Sequence, residues 1–89
     1  MDPSQDQWRI AEYYSREAVR LRQKSQEVYD RVLIYERLFG AESEWVSGAR
    51  LLAQSYEDAA YEHERLAQKH LELAGGHRAP RLSRPPPDS

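Results

Sequence analysis

From Ser4 to Phe39 no glycine or proline interrupts the chain. Over that stretch small or apolar residues return every seven positions. Ala11, Ala18, Ser25, Val32 and Phe39 form one column, and Tyr14, Leu21, Val28 and Tyr35, three residues on, form a second. A seven-residue return of this kind is the a/d seam of a helix built to lie along another helix. The reading is one α-helix over about residues 3–39, roughly 55 Å long at 1.5 Å per residue. Asp2 before Pro3 suits an N-cap followed by proline at the first helical position. Gly40 supplies the stop.

A second helix is expected over about 43–74, with a turn at about 40–43. Gly75 and Gly76 end it. Two starts suit its first residues: Ser43 as the cap with Glu44 in the first turn, or Ser47 with Val46 and Leu51 as a hydrophobic staple. Ser43 is preferred, because Trp45 then falls on the apolar face. Three columns run along this helix: Trp45, Leu52, Ala59, Leu66, Leu73; Ala49, Tyr56, His63, His70; and Val46, Ala53, Ala60, Ala67, Ala74. They lie side by side within about 100° of the wheel, the histidine column in the middle.

Folding the chain at Gly40 brings the columns together. An antiparallel register pairs Ala11 with Ala74, Ala18 with Ala67, Ser25 with Ala60, Val32 with Ala53 and Phe39 with Val46. Small meets small away from the turn and large meets large near it; these positions form the expected hairpin interface, and facing small columns let helices approach near the short end of the usual range of about 8–10 Å. A second seam would set Tyr14 against Leu73, Leu21 against Leu66, Val28 against Ala59 and Tyr35 against Leu52. The fold class is therefore all-α: a close-packed hairpin of two long antiparallel helices over residues 1–76, and a tail over 77–89. That tail, rich in proline and arginine, has too few apolar residues to offset ordering entropy and reads as disordered.

A two-helix hairpin has no enclosed core, and chains this short usually need a staple or a partner. There is no cysteine among the 89 residues, so no disulfide or zinc–thiolate site is available. Apolar residues outside the seam then suggest a partner surface. Trp8, Tyr29, Leu33, Trp45 and Tyr56 are the candidate dimer interface, and a two-fold homodimer would make a four-helix bundle. Another helical protein is the other candidate partner. The basic stretch around Arg16, Arg20, Arg22 and Lys24 lies alongside the acidic Glu57, Asp58, Glu62 and Glu64 in this register, which favours mutual screening.

His63 and His70, seven residues apart, are the candidate metal ligands. Their separation of about 10 Å is too large for both to bind one ion in one chain. Ala60 and Ala67 stand where helical metal motifs need a glutamate. A second copy could complete a metal or haem site; otherwise the histidines are seam residues, and a hydrogen bond from His70 to Tyr14 fits the spacing. No nucleophile elbow and no glycine-rich loop after a strand is present, so no catalytic residue or cofactor is expected.

The formal net charge of -2 argues against nucleic acid as a partner. The longest apolar run, Val32 to Tyr35, is far too short to span a bilayer, and the acidic second helix argues against a membrane surface. The amino-terminal residues lack the basic and apolar regions of a cleaved signal, which favours a cytoplasmic protein, although secretion without a cleaved signal escapes this test.

The stretch "SYEDAAYEHERLAQKHLELA" resembles small bacterial helical-hairpin proteins with Ala-x-x-Tyr/His-x-x-Leu-Ala repeats. That resemblance covers most of both helices and implies the hairpin fold, with no activity attached. "EWVSGA" is similar to the turn of secreted Trp-x-Gly helical hairpins, but Trp45-Val46-Ser47-Gly48 is one residue longer than that motif. Their Tyr-x-x-x-Asp/Glu export signal has no match after the second helix. Taken together, the residues point to a non-enzymatic helical assembly or adaptor protein. The alternatives are a bundle holding a metal or haem through His63 and His70, and a secreted hairpin of a specialised secretion system.

Overall fold

A computed structural model describes residues 3–75; the expected N-cap Asp2 and the tail over 77–89 lie outside the described residues. Two helices, α1 (Pro3–Phe39) and α2 (Glu44–Gly75), pack along one another as an antiparallel hairpin. No described helix is long and apolar enough to cross a membrane.

The turn follows from two residues. Gly40 adopts φ +91°, a left-handed conformation open to glycine at little cost. Its N–H donates to the Glu36 carbonyl at 2.9 Å, the single bond of an αL cap. Ser43 then starts α2 as expected: its Oγ accepts the Trp45 N–H at 3.0 Å, and its carbonyl accepts from Val46 and Ser47. Ser47 instead turns its hydroxyl back to the Glu44 carbonyl at 3.3 Å.

The seam is built from small side chains. Ala11, Ala18, Ser25 and Val32 of α1 are buried, and so are Val46, Ala53, Ala60, Ala67 and Ala74 of α2. Seven of the buried apolar residues described are alanine and three are valine. A hydrophobic cluster lies toward the turn, where Val28, Val32, Val46, Ala49 and Ala53 meet Tyr29, Tyr35 and Tyr56. Ser25, expected beside Ala60, donates its hydroxyl to the Ala53 carbonyl at 3.0 Å, one heptad nearer the turn. A buried hydroxyl is thereby satisfied without a side-chain partner.

Phe39 departs from the expected interface. It is 51% exposed rather than packed on Val46. At the last turn of α1 its ring instead stacks on Trp45, in the first turn of α2, at 5.8 Å.

Candidate interaction face

Because the seam is centred on the alanine columns, each helix has two flanks, and the flanks differ in chemistry. On one flank the column Trp8, Ser15, Arg22, Tyr29, Glu36 of α1 runs beside Arg50, Glu57, Glu64, Leu71 of α2. Arg22 grips Glu64 with two hydrogen bonds, 2.9 and 2.7 Å, and Arg50 meets Glu36 at 2.6 Å. The doubly hydrogen-bonded Arg22 holds the Glu64 carboxyl below the usual carboxylate range, against a smaller opposing effect of desolvation, and Glu64 in turn raises Arg22. This is the basic-on-acidic alignment the register implied.

The other flank is aromatic. Tyr14 stands between the two histidines, stacked on His70 at 5.8 Å and edge-on to His63 at 5.4 Å. His63 Nδ1–H donates to the Ala59 carbonyl at 2.8 Å, and His70 Nδ1–H donates to the Gln7 side-chain carbonyl. The expected Tyr14–His70 hydrogen bond is replaced by ring stacking, because Gln7, one heptad before Tyr14, reaches Nδ1 first. Nε2 is therefore the atom that each imidazole offers a metal or haem iron. Among the described residues no three histidine, aspartate or glutamate side chains cluster as a metal site.

Outside these rings lies the Trp45–Leu52–Ala59–Leu66–Leu73 column. It was expected to close a second seam on Tyr14, Leu21, Val28 and Tyr35. The structure leaves much of it on the surface: Trp45 is 63% exposed, Leu73 56% and Leu52 44%. Two helices brought close by alanine touch over a narrow strip, and a column about 100° round from that strip is out of reach. Near the turn Trp45, Leu52, Tyr35 and Ala49 line an open groove of about 460 Å³, rimmed by Arg31 and Glu44. At the far end Ile10, Tyr13, Tyr14 and His70 line a second groove.

The five residues expected to form one dimer interface do not share a face. Trp8 and Tyr29 belong to the column of Arg22 and Glu36, on the ion-paired flank, and Leu33 lies beyond them on the exterior of α1. Trp45 and Tyr56 belong to the aromatic flank. Tyr29 and Tyr56 are moreover half-buried against the hairpin's own valines. Seven-residue spacing alone does not fix the angle at which the seam is centred, so it could not sort these side chains between flanks.

The chain matches no protein-family model, no curated protein and no solved structure.

Proposed function

We propose that this hairpin is a non-enzymatic assembly or adaptor element that works through protein–protein contacts made by its aromatic flank. One observation carries the reading: a continuous apolar column, Trp45, Leu52, Ala59, Leu66 and Leu73, lies beside the hairpin seam and is left largely uncovered. Contiguous apolar surface rimmed by charge is the signature of a partner face. The opposite flank also exposes Trp8, Leu33 and Leu51, but the Arg22–Glu64 and Arg50–Glu36 pairs interrupt its apolar surface, so no continuous apolar column runs along it.

The test uses the full chain and a Leu52→Gln, Leu66→Gln variant. Cross-linking followed by mass spectrometry and hydrogen exchange should show protection of the aromatic flank on association, lost in the variant. Protection confined to the ion-paired flank would overturn the reading. A metal or haem reading rests on the two Nε2 atoms left available by the Nδ1 bonds. It requires a metal-loaded protein that loses its metal in a His63→Ala, His70→Ala variant.

A further inference from the structure

We infer that the aromatic flank docks a second copy of this chain head to tail, with the two-fold axis crossing the hairpin at Lys24 and Ala59. The inference rests on the reading of the aromatic flank as a contact face, and it names the occupant and its orientation.

The argument is charge complementarity. Along the rim of the flank on α1 run Ile10, Glu17, Lys24, Arg31 and Leu38 at seven-residue spacing. Ile10 and Arg31 are placed on this flank by the two grooves they help to line. Read from either end, the column is apolar, charged, Lys24, oppositely charged, apolar. An isologous interface sets each residue against its mirror position on the partner. Reversed on itself about Lys24, this column sets Glu17 against the partner's Arg31, and Ile10 against the partner's Leu38. One position round, the same axis brings Arg20 within one residue of level with the partner's Glu27, and Tyr13 within one residue of the partner's Ile34. Arg31 and Glu27 make no ion pair within the described hairpin, and Glu17 reaches Arg20 only at 4.0 Å.

The second helix obeys the same axis. Reversal about Ala59 sets Trp45 against the partner's Leu73 and Leu52 against the partner's Leu66, with alanine on alanine at the centre. Lys24 and Ala59 stand at one level of the hairpin, bracketed by the Arg22–Glu64 and Ser25–Ala53 contacts. One axis therefore serves both helices. Lys24 meets its own copy there, and its long stem can carry the ammonium outward to water.

The opposite orientation, with the two turns together, fails on the same residues. It sets Arg31 against the partner's Leu52 and Glu17 against the partner's Leu66, which buries unpaired charge on leucine. Size also suits a second copy. From Ile10 to Leu38 is about 42 Å along the helix, and two helices are about 20 Å across, a face of about 800 Å². That equals one side of a standard stable interface.

The full chain is tested by sedimentation equilibrium and by oxidative cross-linking, which the absence of native cysteine makes clean. The unmodified protein should be a dimer that dissociates on dilution. Glu17→Arg and Arg31→Glu should each raise the dissociation constant about ten-fold, since each change disrupts two symmetric pairs. The double exchange should restore it to within about three-fold. Lys24→Cys and Ala59→Cys should each oxidise to a covalent dimer. A monomer at all concentrations would overturn the second copy while leaving another protein as occupant of the flank. A dimer whose charge exchange is not restored, or which links through Arg31→Cys to Leu52→Cys, would overturn the head-to-tail arrangement alone. A Leu52→Gln, Leu66→Gln variant that dimerises unchanged would overturn the aromatic flank itself.

Discussion

The Tyr14 ring lies flat against His70, centroid to centroid 5.8 Å, while the same ring meets His63 by its edge at 5.4 Å. One tyrosine thus holds both imidazoles in place and stands between them. Replacing it removes ring contacts on both sides and leaves the histidines half-supported. Tyr14→Ala should destabilise the hairpin by about 1–3 kcal/mol. Urea unfolding followed by circular dichroism measures this, and a loss no larger than that of a Tyr61→Ala control, whose ring is 59% exposed, would show that the ring contributes nothing.

The alanine seam should reject added volume. Ala60 is fully buried and Ala67 is nearly so, both facing the small column of α1. Ala60→Leu and Ala67→Leu should each cost about 1–3 kcal/mol through overpacking. Thermal melts would detect this, and a raised melting temperature in both variants would mean that the helices do not meet along this column.

Two glycines should answer alanine with opposite signs. Gly40 sits at φ +91°, so Gly40→Ala strains the cap of α1 and should cost about 1–2 kcal/mol. Gly48 lies inside α2, where an added Cβ meets nothing within 4 Å. Gly48→Ala should stabilise by about 1 kcal/mol, from helix propensity. Chemical denaturation of the two variants side by side settles the signs.

Glu64 should contribute to an acid transition. Its folded carboxyl is held below the ordinary range by Arg22, so its stabilising effect is present above that range and is lost as pH falls through the depressed value. Stability of the unmodified protein and of Glu64→Gln should therefore differ at neutral pH and converge in acid. Parallel stability-against-pH curves from neutral to strongly acidic solution would show that the pair makes no difference.

Most of the fold was legible from the sequence because the signals are local and repeated. The glycine-free run ending at Gly40, the Ser43 cap and the two small columns each have a direct physical reading, and the helices begin and end within a residue or two of where those signals place them. The aromatic flank was harder. A heptad table shows which residues share a column and leaves open how wide the contact strip is. Alanine on both helices narrowed that strip, so Leu52 and Leu73 stayed outside while Tyr56 and Tyr29 were drawn partly in. Phe39 carried the right spacing, but at the end of α1 its ring packs against Tyr35 and Trp45 rather than into the seam.

The gradient of side-chain size along the seam also sets an order of events. The valine and tyrosine cluster lies next to the turn, and the alanine-only stretch lies at the open end. The bulkiest contacts therefore close the shortest loops, where the entropy of closure is smallest. The hairpin should zip from Gly40 outward, and its open end should fray first, with amide protection falling steadily from Val46 toward Ala74.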